Sequence, residues 1–210
     1  MDGGPPEPAG SLAPTLGRMD ATHLHMNHRR GRDEIRIPYE PNEHGLYLRA
    51  DPSCKYHSVR WQHSIGRSKH GEFPVVVAAE HFKQLGYTAW AAEPELPDDS
   101  GYILISYPGK RRRLHPAYER MRSVFGAATV EKLNEVADAQ KRMVTGSAGG
   151  GDPDLFVFRG PSRFFVEVKW RDQVTRKQEV AFPLIEQFCK VPVKIARIVP
   201  VTVRREFHAA

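Results

Sequence analysis

The chain of 210 residues has few of the features that mark secreted or membrane proteins. Its two cysteines, Cys54 and Cys189, are too few for a disulfide framework. It has no run of roughly 18 or more apolar residues, and its first residues lack the basic and then apolar pattern of a signal peptide. These absences exclude a disulfide-stabilised secreted fold, and they predict a soluble, intracellular (cytoplasmic) protein with no membrane partner.

The chain also lacks a large excess of charge of one sign. Lys and Arg number 31 against 25 Asp and Glu, which gives a formal net charge of +6. This modest excess favours a polyanionic partner only slightly. Because 40% of the residues are hydrophobic, the chain can bury one real core, and we expect one main domain.

Composition divides the chain into three parts. Residues 1–32 are rich in Pro, Gly and polar residues without a sustained period, which predicts a disordered tail. Residues 33–71 contain short candidate strands in EIRIPYE and GLYLRA, and we expect them to form an N-terminal elaboration packed on the main domain. The main domain then covers residues 72–210, with an insertion at about 96–150.

Periodicity predicts alternating helices and strands from Phe73 onward. In FPVVVAAEHFKQLGY, apolar residues recur at helical spacing, and Gly86 suits the end of this helix. The other predicted elements, in chain order, are strands over 87–92 and 102–107, one or two helices over 115–143, strands over 154–159 and 163–170, a helix over 176–190 and a strand over 193–199.

The segment GDPDLFVFRGPSRFFVEVKW predicts a β-hairpin that carries charges in an apolar context. Pro161 cannot adopt the positive φ that the usual two-residue turn needs at its second position, so we predict a four-residue loop over 159–162. The resulting register places Asp154 directly opposite Glu167, with β-carbons about 5 Å apart. Two carboxylates so placed repel each other unless a cation lies between them.

A divalent hard cation fits this pair, because it takes carboxylate oxygens at roughly 2.0 to 2.6 Å. Lys169 follows Glu167 on the same face of the strand and would point at whatever the cation holds. A surface hairpin with its charges in water is the alternative. It fits poorly, because Phe156, Phe158 and Phe165 share the charged face and require burial.

These residues resemble the PD-(D/E)XK nuclease superfamily, and within it the virus-type replication-repair nuclease family (VRR-NUC). The motif residues occur here in the family's order: Pro153, Asp154, Glu167, Val168, Lys169 and, in the following helix, Gln178. The corresponding stretches read GDPDL, FFVEVK and RKQ. The resemblance implies an α/β fold with a restriction-endonuclease-like core, in which helices flank a central mixed sheet of about four strands. An N-terminal extension and a helical insertion before Asp154 depart from a minimal member of the family.

The activity implied by the resemblance is metal-dependent hydrolysis of phosphodiester bonds, with DNA as the expected substrate in repair, recombination, restriction or phage-type replication. Asp154, Glu167 and the backbone carbonyl of Val168 are then expected to hold Mg²⁺ or Mn²⁺. Lys169 is expected to orient the attacking water or to stabilise the transition state.

The family often adds a carboxylate from the first helix to the metal site. We expect Glu80 in this catalytic and metal-binding role, because it flanks the apolar stripe of that helix, whereas Glu72 lies before the predicted start. Gln178 is expected to support the site through hydrogen bonds. A solvated side chain on a helix surface is the alternative for both Glu80 and Gln178.

Basic residues in two places are expected to contact nucleic acid: Arg111, Arg112 and Arg113 after a turn, and Arg171, Arg176 and Lys177 beside the proposed site. A solvated charge run is the alternative for the arginine triplet. A catalytically inactive nucleic-acid-binding module of the same fold is the alternative function. Cleavage of both strands of a duplex would require a homodimer, and the sequence leaves the oligomeric state open.

Overall fold

The computed structural model describes residues 32–56, 69–92, 101–105 and 115–201. In this part of the chain, five strands form one mixed sheet: β1 Glu34–Tyr39, β2 Thr88–Ala91, β3 Leu155–Arg159, β4 Ser162–Lys169 and β5 Val193–Pro200. Five helices accompany it: α1 Pro41–Arg49, α2 Lys69–Gln84, α3 Pro116–Phe125, α4 Ala127–Thr145 and α5 Arg176–Cys189. The expected α/β class is confirmed.

The sheet has five strands rather than about four, because the segment before α1 contributes a strand of its own. The order is β1-β5-β4-β3-β2, with β2, β3 and β4 antiparallel in turn and β5 parallel to both β4 and β1. β1 pairs with β5 along its whole length, from Glu34 opposite Ile195 to Tyr39 opposite Pro200. Parallel partners need a long connection and carry no hairpin signal, so the local sequence did not reveal this pairing.

The hairpin of β3 and β4 has the predicted register but a different turn. Arg159 pairs with Ser162, so the loop has two residues, Gly160 and Pro161, rather than four. Gly160 has a φ of 56°, and Pro161 is not among the residues with positive φ. A turn of the II′ kind needs positive φ at its first central residue alone, and it therefore accepts proline at the second.

Three other sequence-based boundaries change. The candidate strand GLYLRA lies in α1, which begins with Pro41 at its first position. Helix α2 begins at Lys69, before the predicted start at Phe73. Residues 102–105 form no strand in the described part of the predicted 102–107 segment, and only Gly101 makes an isolated bridge to Ala91.

Helices cover both faces of the sheet. On one face, α1 and α2 pack over a buried cluster that includes Ile37, Phe73, Phe82, Val166 and Ile198. On the other face, residues 101–105 and helices α3, α4 and α5 pack over a second cluster that includes Tyr102, Met121, Leu133, Phe156, Phe165, Phe182 and Ile195. The predicted helical insertion therefore supplies part of the second layer.

Two further expectations concern the described residues. Cys54 and Cys189 are both free and buried. Among the helices described, none combines the length and the apolar character that crossing a membrane would require.

Candidate functional site

Three elements bring the predicted carboxylates and their partners to one edge of the sheet. Asp154 immediately precedes β3, and its Oδ2 accepts a hydrogen bond of 2.7 Å from the backbone N–H of Val168 near the end of β4. This contact continues the β3–β4 register, so Asp154 lies opposite Glu167 as predicted. Helix α5 starts at the same edge, because it connects the end of β4 to the start of the parallel strand β5.

Glu167 is 2% exposed, and its two carboxylate oxygens have different surroundings. Oε1 lies 2.7 Å from Nζ of Lys169 and accepts a hydrogen bond of 2.6 Å from Nε2 of Gln178. Oε2 is buried and has no hydrogen-bond partner among the described residues. A buried carboxylate oxygen without a donor is costly, so this atom is suited to bind a ligand.

Gln178 is held by the start of its own helix. Thr175 precedes α5, and its Oγ1 accepts from the Gln178 backbone N–H at 3.4 Å, while Oε1 of Gln178 accepts from the Thr175 backbone N–H at 2.9 Å. This capping box fixes the carbonyl end of the amide, so that its N–H₂ end is directed at Glu167. The T-x-x-Q spacing in the sequence is the local signal for this arrangement.

Lys169 is 3% exposed and bridges two acids. Its Nζ lies 2.8 Å from Oδ2 of Asp172 as well as 2.7 Å from Oε1 of Glu167. Burial alone would lower the pKa of Lys169, but the charge of Glu167 and the hydrogen bonds to both acids outweigh it and raise that pKa. Asp172 was not predicted from the sequence, although its position three residues after Lys169 was the available signal.

Burial also raises the pKa of both carboxyl groups. The pKa of Glu167 rises to about 8, because the charge of Asp154 adds to the effect of burial and outweighs the opposing Lys169. The pKa of Asp154 rises to about 6, although the Val168 hydrogen bond acts in the opposite direction. Burial is thus the largest cause of both raised pKa values, and only for Glu167 does the charge of the facing carboxylate add to it.

The backbone carbonyl of Val168 faces the same side as Asp154. The N–H and C=O of one strand residue point the same way, and the Val168 N–H donates to Asp154. The backbone N–H and C=O groups of odd-numbered β4 residues point towards β5 instead. The Phe165 N–H, for example, donates a hydrogen bond of 2.9 Å to the carbonyl of Pro192, just before β5. The carbonyl of Val168 therefore points towards β3, the strand that Asp154 precedes.

Carboxylate and carbonyl oxygens are the donors that a small hard cation prefers. No group of three or more His, Cys, Asp or Glu side chains is arranged to hold a metal ion within the described ranges. Mg²⁺ does not require such a group, since it usually keeps several waters and binds through one or two carboxylates together with substrate phosphates.

Glu80 lies away from this cluster. Its Oε1 is 3.0 Å from Nζ of Lys83, in an ion pair on the same helix. Its neighbour Phe82 packs on Phe164, with ring centroids 5.5 Å apart, at the hairpin end of β4. The structure therefore does not bring Glu80 to Asp154 and Glu167.

Glu72 lies in the first turn of α2. It is 6% exposed, and its Oε1 is buried without a hydrogen-bond partner among the described residues. The next residue, Phe73, packs on Trp170 with ring centroids 6.0 Å apart, so the first turns of α2 lie near the site end of β4. Glu72 was discounted because α2 was predicted to begin after it, whereas the helix begins at Lys69.

The basic residues expected to bind nucleic acid fall into three groups. Arg111, Arg112 and Arg113 lie outside the described residues. Arg171 and Arg176 are exposed beside the site, and the Arg171 guanidinium lies 5.0 Å from the centre of the Trp170 ring. Lys177 instead donates a hydrogen bond of 2.9 Å to the carbonyl of Gly149, so it holds the loop before Asp154.

The residues just before Asp154 are anchored to the insertion. The Asp152 carboxylate accepts a hydrogen bond of 2.6 Å from the backbone N–H of Ile105. The hydroxyl of Tyr102 donates to the carbonyl of Pro153. Segment 101–105 thereby fixes the backbone that leads into the site.

A buried lysine completes this anchor. Lys141 of α4 is 0% exposed, and its Nζ donates to the carbonyls of Ile105 at 2.9 Å and Gly150 at 2.8 Å. It joins segment 101–105 to the glycine-rich loop. Sequence periodicity placed Lys141 on a charged helix and gave no sign of its burial.

No protein-family model and no curated protein sequence matches this chain. The functional inference therefore depends on the residues of the site.

Proposed function

We propose that this chain is a metal-dependent nuclease that hydrolyses phosphodiester bonds in DNA. The observation that supports this most is the buried cluster in which Asp154 faces Glu167, Lys169 lies beside them and Oε2 of Glu167 has no donor among the described residues. Glu167 and Lys169 are buried and Asp154 is half-buried, and burying an ionised group costs several kcal/mol in real proteins. A hairpin with an apolar face has no structural need for them, which favours a chemical role.

The element order supports a restriction-endonuclease-like core. Helix α2, strands β2, β3 and β4, helix α5 and strand β5 follow one another as the resemblance to PD-(D/E)XK and VRR-NUC nucleases implies. Strand β1 extends this core at one edge, and α3 and α4 form its insertion.

Asp154, Glu167 and the Val168 carbonyl would hold Mg²⁺ or Mn²⁺ in this proposal. A divalent cation bound there supplies positive charge against the phosphate and activates water for the attack. Lys169 adds a point charge that is already fixed by two acids, so it can stabilise negative charge without reorganising. Gln178 orients Glu167. The proposal relies on the two carboxylates of Asp154 and Glu167, because the described residues place no third acid with them.

Cleavage of labelled single-stranded, duplex and branched DNA in Mg²⁺ or Mn²⁺ tests the proposal. We expect Lys169→Met to lower the rate at saturating substrate by about 100-fold or more, as the loss of a transition-state contact does. Glu167→Gln should lower it at least as much, because it removes a charged ligand.

Glu135→Gln is the matched control, since Glu135 is an exposed acid of α4 paired with Lys132. It should cleave like the wild type. A wild type that binds these DNAs but cuts none of them in either metal would replace the nuclease with the non-catalytic binding module. Products nicked in one strand would indicate a monomer, and paired cuts would indicate a homodimer.

A further inference from the structure

A row of basic side chains crosses three neighbouring strands beside the site. Lys169 of β4 is in register with Arg197 of β5, and Arg197 is in register with Arg36 of β1. Residues paired in this way point to the same face of a sheet, so all three share the face of Glu167. Because adjacent strands lie about 4.8 Å apart, the row extends about 10 Å from the site.

Exposure increases along this row with distance from the site. Lys169 is buried, the Arg197 side chain is 28% exposed, and Arg36 is exposed at the edge of the sheet. Nε of Arg197 lies 3.2 Å from Oε2 of Glu34, whose side chain is 44% exposed. Such a partly exposed ion pair contributes little free energy to folding, so a phosphate group can compete with Glu34 for Arg197.

We propose that Arg197 and Arg36 bind the phosphodiester backbone of the substrate, so that the bound strand passes from Lys169 across β5 and β1. The direction of this path rests on the proposed function, because it starts at the proposed site. Guanidinium groups suit the task, since their planar fork binds phosphate oxygens in pairs. Neither arginine has a place in the proposed chemistry.

The experiment measures the affinity of fluorescently labelled single-stranded and duplex DNA in EDTA, between about 50 and 200 mM salt. Arg36→Gln and Arg197→Gln should each weaken binding several-fold at low salt. Each should also reduce the slope of log K against log salt by about 0.7 to 0.9, the amount that one lost phosphate contact removes. Arg36→Lys should keep most of the slope, because it keeps the charge.

Arg163→Gln is the matched control. Arg163 is exposed and lies on the same strand and the same face as Lys169, but at the hairpin end, about 20 Å away at the usual rise of a strand. This variant should bind with the wild-type affinity and slope. If all three glutamine variants lose the same affinity, binding is diffuse and the proposed path is wrong.

Glu34→Gln provides a test with the opposite sign. Removing this acid releases Arg197 and should tighten binding, a result that a merely damaged fold would not produce. Unchanged or weaker binding by Glu34→Gln, or an unchanged salt slope in both Arg36→Gln and Arg197→Gln, would overturn the proposal. If the wild type binds DNA through these arginines but never cleaves it, the proposed nuclease activity is wrong and the proposed binding surface is retained.

Discussion

The Glu167 side chain is almost completely buried, but only one of its two carboxylate oxygens accepts hydrogen bonds from the described residues. Oε1 is shared by Lys169 and Gln178, whereas Oε2 has no donor in the described part of the chain. Asp154 lies opposite and adds a second negative charge. Burial disfavours the charged form of both carboxyl groups and is the main cause of both raised pKa values.

The stability of the metal-free protein should therefore depend on pH. The pKa values of Glu167 and Asp154 rise from 4.5 to about 8 and from 3.8 to about 6 on folding, so the folded state holds more protons than the unfolded state between these values. Raising the pH through this window then favours the unfolded state, and the free energy of unfolding should fall from about pH 3.8 to about pH 8. Urea unfolding in EDTA at a series of pH values measures this decline.

Two variants show whether the decline originates at the site. Glu167→Gln cannot ionise and should flatten most of it. Glu135→Gln, which alters an exposed acid, should keep it. An equal decline in Glu167→Gln would assign the pH dependence to other groups.

Local sequence predicted the residues of the site that lie on one hairpin and the helix after it. Asp154, Glu167 and Lys169 come together because strand alternation and the hairpin register fix their faces. The start of α2 was predicted too late, because helix boundaries are the least certain feature of a sequence and α2 begins earlier than its apolar period. The contact of Asp172 with Lys169 depends on the path of the chain after β4, which no period encodes.

At the scale of elements, the loop before β3 is held from two helices. Lys141 of α4 and Lys177 of α5 donate to the carbonyls of Gly150 and Gly149. Gly151 follows with a φ of 103°, and a β-carbon at this position would lie 3.2 Å from that of Ala181. These two lysines, together with segment 101–105, hold the backbone that leads to Asp154.

Removing the buried lysine should destabilise the fold. Lys141→Met leaves the carbonyls of Ile105 and Gly150 without their charged donor, and we expect the free energy of unfolding to fall by about 2 kcal/mol. Lys132→Met on the exposed side of the same helix should change it by less than about 0.5 kcal/mol. Urea titration of both variants measures the difference, and equal stabilities would mean that water replaces the lysine at no cost.

Elements formed by neighbouring residues were easier to predict than those joined over long distances. Helices α3, α4 and α5 and strands β2 to β5 lie close to their predicted ranges. The place of β1 in the sheet depends on its pairing with β5, which is far away in the sequence. The apolar run of α1 is too short for its period to distinguish a strand from a helix. The predicted four-residue loop was wrong, because the Gly-Pro pair was considered only in the turn type that needs positive φ at both central residues.

At the scale of the whole molecule, a divalent cation should act as a stabilising ligand. If it binds the native state alone, a free concentration of Mn²⁺ 100 times its Kd raises the free energy of unfolding by about 2.7 kcal/mol. Thermal unfolding over a range of Mn²⁺ concentrations measures this, and Asp154→Asn should reduce the shift in Tm. Asp33→Asn, at a side chain that is 81% exposed, should not. A Tm that stays constant through millimolar Mn²⁺ in the wild type would count against a cation at this hairpin.

The position of β5 also has a consequence for how the protein is made. β5 comes last of the five strands in the chain but lies between β1 and β4, and it is the strand that joins them. While a ribosome is still adding residues 193–200, β1 has already been synthesised but has no strand with which to form its backbone hydrogen bonds. A prematurely released chain would expose the open edges of two strands, so translation has to pass β5 before the sheet can close.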